Sequence, residues 1–176
     1  MNKIIKKIKE KYRTGFTLVE IVVGVGMLTM FLGANFLYFR KVLDVSQQTT
    51  RHIQSGFLLE EGVEAVKLLR DKGWGANIAT LTNGTKYYFT WDSINREWDV
   101  TTTPQLVENL FTRYFILAAV YRNVGTDNIV PASVGAPDVL DTGTKKVVVT
   151  VVWPLRSSTV TSTSSVETYI SNIFNN

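Results

Sequence analysis

Between Phe16 and Phe39 the chain runs for 24 residues, FTLVEIVVGVGMLTMFLGANFLYF, with a single charged side chain, Glu20. A helix of about 20 apolar residues crosses the hydrocarbon core of a bilayer, so this run is long enough to span one. The competing reading, a buried helix in a soluble domain, fits a shorter run better. The flanks are unequal. Lys3, Lys6, Lys7, Lys9, Lys11 and Arg13 precede Gly15 against Glu10 alone, whereas Arg40 and Lys41 follow the run. The positive-inside rule then keeps the N-terminus cytoplasmic and sends the C-terminal bulk outward. The same distribution disposes of a nucleic-acid reading based on overall charge. The whole chain carries +4, but without its first 15 residues Lys+Arg falls from 19 to 13 and Asp+Glu from 15 to 14, leaving −1. The basicity is a local N-terminal signal.

A secretory signal has small residues at a cleavage site after its apolar region. Here Gly33-Ala34-Asn35 is a poor substitute, and the natural breakpoint lies ahead of the run, at Gly15. A cut there removes the basic leader and leaves the apolar helix on the mature chain, starting at Phe16 with a free α-amino group. Glu20 then acquires a purpose. A carboxylate in a bilayer costs about 3 kcal/mol on insertion scales and so needs a partner. The amine of Phe16 is the obvious one, yet within one helix it lies roughly 6 Å away along the axis. A neighbouring subunit displaced along that axis brings its own amine to Glu20. Repeated from subunit to subunit, that geometry is a helical filament. The local alternative is a glutamate favoured by the macrodipole at a helix N-terminus.

Gly15 to Glu20, GFTLVE, resembles the processing site of type IV pilins and type II secretion pseudopilins, the proteins with class III signal peptides. The resemblance implies that a membrane-embedded prepilin peptidase cuts after Gly15 and that Phe16 is N-methylated. It implies further that Glu20 guides assembly with other pilin or pseudopilin subunits at an inner-membrane assembly platform. It also implies a pilin-like fold, and a place for Glu20-bearing subunits in the shaft or just below the tip. One departure is that pilins often carry a proline inside this helix, whereas the first proline here is Pro104. Gly24, Gly26, Gly33 and Asn35 are the weak helix formers available in its place.

The boundaries read from the sequence are a leader over 1–15, a transmembrane helix over 16–39, its amphipathic continuation over 40–73 and a β-rich head over 74–176. Val42, Val45, Thr49, His52, Gly56, Leu59, Val63, Val66 and Arg70 recur at three- and four-residue steps, with Ile53 and Leu69 beside them. Lys72-Gly73 is a helix stop, with Gly73 suited to a left-handed cap. Glu60, Glu61, Glu64, Lys67 and Arg70 read as a solvated or subunit-facing surface, with Glu64 pairing Lys67. His52, the only histidine, reads as a helix-surface or packing residue.

From Trp74 the signals turn to strand and turn. Asn83-Gly84 introduces Thr85–Trp91, and a polar turn leads to Glu97–Val100, a β-hairpin with aromatic cross-strand pairs. Leu110–Tyr121 suits a central strand, though periodicity alone leaves helix open. Lys145–Trp153 is a strong strand ended by Pro154, and Val166–Ile170 supplies another. Ser157–Ser165 is either the first part of that last strand or a hairpin loop. The expected fold class is α+β: a long N-terminal helix, half transmembrane and half amphipathic, packed on a small antiparallel sheet. The order of Tyr121-Arg122-Asn123, a Gly/Asp/Pro-rich loop, KKVVVTVVWP and VETYISNIF resembles the C-terminal part of minor pilins of the PilV type.

These readings point to a structural subunit rather than an enzyme. It is processed after Gly15, methylated at Phe16 and built into a type IV pilus or pseudopilus as a minor component. Before assembly it resides in the cytoplasmic (inner) membrane as a single-pass protein. A type II secretion pseudopilin is one alternative, and a pilin that binds DNA or a surface is another. For DNA the candidates are Lys86, Arg113, Arg122, Lys145, Lys146 and Arg156, though the near-zero charge of the mature chain argues for scattered cations. With no cysteine, no metal-ligand cluster, no nucleophile motif and no phosphate loop, neither catalysis nor a cofactor is expected. The loop from Asn123 to Thr144 holds Asp127, Asn128, Asp138 and Asp141, hard oxygen ligands of the kind that bind Ca²⁺, but without an EF-hand spacing.

Overall fold

The computed structural model describes residues 15–130, 138–155 and 160–174. Its first element is α1, Leu18–Lys72, a helix of 55 residues. No proline interrupts this stretch. Arg70 and Lys72 place positive charge in its last turn, where the macrodipole favours it. The helix ends as expected at Lys72, but the cap differs. Gly73 adopts φ +157°, well away from the left-handed value of about +57°. Residues from Trp74 on are not yet strand either. A single π-helical turn, Gly75–Ala79, follows, and it tucks Trp74 and Ile78 into the core.

Seven strands then form one antiparallel sheet. They are β1 (Lys86–Asp92), β2 (Glu97–Thr101), β3 (Leu106–Val107), β4 (Phe111–Asn123), β5 (Ile129–Val130), β6 (Asp138–Pro154) and β7 (Thr161–Ser171). The spatial order is β2-β1-β4-β6-β7, with β3 and β5 also paired to β4. The hairpin β1–β2 is where the sequence places it, and Trp91 lies opposite Trp98 with ring centroids 5.3 Å apart. The open question over Leu110–Tyr121 resolves as strand: Phe111, Arg113, Phe115 and Leu117 are buried in alternation, a period of two. Thr161–Ser165 forms the first part of β7, whereas Ser157 lies outside the described residues. The long Asp-rich loop is shorter than expected. Ile129–Val130 is a strand, and Asp138 already belongs to β6.

The chain forms two compact units, 1–47 and 48–176. Among the described residues of the first unit, every large apolar side chain from Phe16 to Val45 is exposed. In the second unit the helical segment packs on one face of the sheet. Ala65, Val66 and Leu69 meet Phe115, Leu117, Val147, Val149 and Ile170. Burying each of the larger side chains contributes about 1.5–3 kcal/mol. The buried stripe of the helix is Ser55, Gly62, Ala65, Val66 and Leu69. It matches the expected face only in its C-terminal half, because Val42, Val45 and Ile53 are exposed.

Gly62 permits the closest approach. A Cβ built there would lie 2.7 Å from Val149 Cγ1 and 3.4 Å from Arg113 Cδ, whereas one at Gly56 would meet nothing within 4 Å. Gly56→Ala is therefore expected to raise the stability of the head by about 0.5–1 kcal/mol through helix propensity. Gly62→Leu is expected to lower it by about 1–3 kcal/mol through overpacking against a branched, immobile neighbour. Denaturant titration of the full chain in detergent, followed by tryptophan fluorescence, measures both.

Candidate functional site

Gly15, Phe16 and Thr17 precede the first helical residue, so helix begins at Leu18 rather than at Phe16. Thr17 is the N-cap. Its carbonyl accepts the Ile21 N–H at 3.1 Å, and its Oγ1 accepts the Glu20 N–H at 3.3 Å. Glu20 thus occupies the third helical position of a T-x-x-E arrangement, the spacing of a capping box. Thr17 was not a candidate from the sequence, although that spacing is legible in it. The three predicted residues Gly15, Phe16 and Glu20 are brought together at one exposed helix end. Phe16 is 78 % exposed.

The other polar side chains of the apolar run satisfy themselves locally. Thr29 Oγ1 donates to the Gly26 carbonyl at 2.8 Å, and Asn35 Nδ2 to the Phe31 carbonyl at 2.8 Å. Such back-bonding hides polar groups in an apolar medium. A carboxylate has no proton to give a carbonyl, and the Glu20 carboxylate has no hydrogen-bond or ion-pair partner among the described residues. The helix is long and apolar enough to cross a membrane, and none of its most apolar stretch is buried.

The charged residues of the head behave differently. Glu64 pairs with Lys67 at 2.7 Å, as the sequence suggests. Glu61 lies on that exposed surface as expected, but its Oε2 also accepts from Arg113 Nη1 at 2.6 Å. Arg113, on β4, is only 4 % exposed and also donates to the Leu58 carbonyl at 3.1 Å. Its guanidinium lies 4.9 Å from the Phe89 ring centroid and 5.4 Å from that of Trp98. His52 rests against Trp153 with ring centroids 5.7 Å apart, the packing role expected of it.

The candidate basic patch is not assembled. Arg113 is buried, Arg122 pairs with Asp141 at 2.6 Å, and Lys146 pairs with Glu167 at 2.7 Å. Lys145 donates to Asn83 Oδ1, and Lys86 stands 4.7 Å over the Tyr114 ring. Arg156 lies outside the described residues. Among the described residues, these cations do not form a free surface that could track phosphates.

Of the four oxygen-bearing candidates of the loop, Asp127 and Asp141 line one small pocket, where Arg122 bonds to both. Asp138 and Asp141 are strand residues, and Asp127 sits in a turn at φ +57° with its carbonyl accepting from Arg122 Nη1. The Asn128 carbonyl accepts the Asn123 N–H. Among the described residues no three His, Cys, Asp or Glu side chains gather where they could hold a metal ion. Burial pushes the Asp141 carboxyl up, but hydrogen bonds from Arg122, Thr144 and the Gly143 N–H, with the Arg122 charge, hold it below its ordinary 3.8. The guanidinium of Arg122 is raised in turn, chiefly by its hydrogen bond to Asp141.

No protein-family model, curated protein or solved structure matches this chain.

A depressed carboxylate stabilises the folded state above its unfolded pKa, and that stability is lost as pH falls through the folded value. The head is therefore expected to hold its unfolding midpoint down to about pH 4 and to weaken below it. Asp141→Asn is expected to be less stable at neutral pH and to show a shallower loss on acidification. Denaturant midpoints measured from pH 7 to pH 2 on both proteins check this.

Proposed function

We propose that this chain is a pilin-like structural subunit, processed after Gly15, N-methylated at Phe16 and assembled from the membrane into a type IV pilus or pseudopilus as a minor component. The observation that carries the reading is the carboxylate of Glu20. It sits in the first turn of an exposed apolar helix, four residues from the Gly15–Phe16 bond, with no partner among the described residues. A lipid-facing helix tolerates such a group when another chain supplies a cation. The new amine at Phe16 of a neighbour, offset along the axis, supplies it. The capping arrangement at Thr17 is compatible with this role, since the backbone N–H of Glu20 is satisfied by Thr17 and its carboxylate accepts no hydrogen bond among the described residues.

The architecture supports the reading in a coarser way. A helix that is apolar and exposed at its N-terminal end and packed under an antiparallel sheet at its C-terminal end suits a filament subunit. The first half is available to lipid or to other helices, and the second carries the head. In this reading the leader stays cytoplasmic, the head lies outside the cytoplasmic membrane, and the partners are prepilin peptidase, other pilins and the inner-membrane assembly platform.

The decisive observation is the N-terminus of the protein recovered from membranes containing a prepilin peptidase. A chain starting at Phe16 and heavier by one methyl group is expected; a chain starting at Met1 overturns the proposal. Glu20→Leu is expected to leave membrane insertion and cleavage intact while removing the subunit from sheared filaments. Immunoblots of the membrane and filament fractions separate those two effects.

A further inference from the structure

The sheet of the head has two edges, and they are not alike. The edge at β2 is only five residues long and carries Glu97, tied to Lys72, and Asp99, a charge of the kind that discourages strand addition. The edge at β7 is eleven residues long and pairs with β6 residue for residue from Thr161 to Ser171, with no bulge. It contains no lysine, arginine or proline, and its one charge, Glu167, is tied to Lys146. On its outer side the sheet order ends, and among the described residues no backbone hydrogen bond crosses that side. Its row of main-chain donors and acceptors is therefore a template for another strand.

Beside that edge runs a groove of about 550 Å³, lined by Gly56, Leu59, Glu60, Val63, Glu64 and Val166. Val166 lies on the same face of β7 as the buried Ile170, the face turned towards the helix. A strand added to β7 would put alternate side chains over this groove. Gly56 leaves room at its rim, since nothing stands within 4 Å of its missing Cβ. Leu59, Val63 and Val166 ask for apolar side chains. Glu60 and Glu64 stand one turn apart as like charges, and among the described residues Lys67 pairs with Glu64 alone. A cation from outside relieves their repulsion.

We propose that the β7 edge and this groove form a docking site for an extended segment of another polypeptide. That segment is taken up as an added strand, with apolar side chains on Leu59, Val63 and Val166 and a lysine or arginine against Glu60 and Glu64. The main-chain ladder supplies affinity and the groove supplies selection, the division of labour in strand-addition complexes. The site belongs to the head alone and does not depend on cleavage at Gly15.

The test uses the full chain in detergent micelles and a short synthetic peptide alternating threonine with valine and lysine. The peptide is expected to bind and to protect the amides of Thr161–Ser171 from hydrogen exchange. A counterpart with glutamate for lysine, and one N-methylated along one edge, are expected to bind at least about tenfold more weakly. Glu60→Lys with Glu64→Lys, and separately Gly56→Leu, should weaken the lysine peptide to a similar degree. Unchanged exchange in β4 and β6 will show that these variants are folded. Equal binding of the lysine and glutamate peptides, or protection away from β7, overturns the proposal. So does protection of β7 that rises with the concentration of the chain alone, which would assign the edge to a second copy.

Discussion

The head depends on one close approach, that of the helix backbone at Gly62 to Val149 on β6. The absent side chain brings the two surfaces together and opens a passage beneath the helix. Arg113 uses it. Its aliphatic stem passes beside Gly62, and its guanidinium emerges to reach the Leu58 carbonyl and Glu61. A buried guanidinium is costly unless paired and bonded. Among the described residues its Nε–H finds no acceptor, and the rings of Phe89 and Trp98 stand on the charge instead. Helix, hairpin and central strand thus meet at one residue pair, Gly62 and Arg113, and the aromatic residues of β1 and β2 are fixed by the same contact.

Much of this could be read from the chain because large apolar residues announce themselves. The apolar helix that starts just after Phe16, the hairpin around Trp91 and Trp98, and the valine run of β6 follow from period, length and turn chemistry. The helix face was half legible. Leu59, Val63, Val66 and Leu69 are apolar and contact the sheet, but the stripe is completed by Ser55, Gly62 and Ala65, whose small side chains carry almost no hydropathy signal. Val42, Val45 and Ile53 carry a strong signal and yet point to the exterior. A periodicity argument weighs size, whereas helix–sheet packing at short distance selects its absence.

Charges were legible as a sum but not as partners. The sequence separates a basic N-terminal segment from a nearly neutral remainder. It does not reveal that Arg113 faces inward, because an arginine between Thr112 and Tyr114 on an alternating strand looks like any outward cation. Nor does it reveal that Arg122 and Asp141 close on each other across β4 and β6, since 19 residues separate them. At the helix start the situation reverses. Thr17 and Glu20 satisfy a local rule, in which the Thr17 hydroxyl accepts the Glu20 N–H, so the backbone at Glu20 serves helix initiation whatever engages its carboxylate.

The register shift between Ala119 and Val120 has a further consequence. Past it, β4 and β6 continue together from Val120–Asp141 to Asn123–Asp138, while β7 has already ended at its pairing with Thr144. Among the described residues the only strand paired with them there is the two-residue β5, and Val139 and Leu140 are exposed. The helix-backed part of the sheet and this extension therefore differ in the free energy of local opening. The extension can separate its ladder at the expense of its own hydrogen bonds and the Arg122–Asp141 pair, without disturbing Phe115 or Val149. Local opening of the head is therefore expected to start at that end, beyond the buried Val120, while the helix-backed core keeps its register.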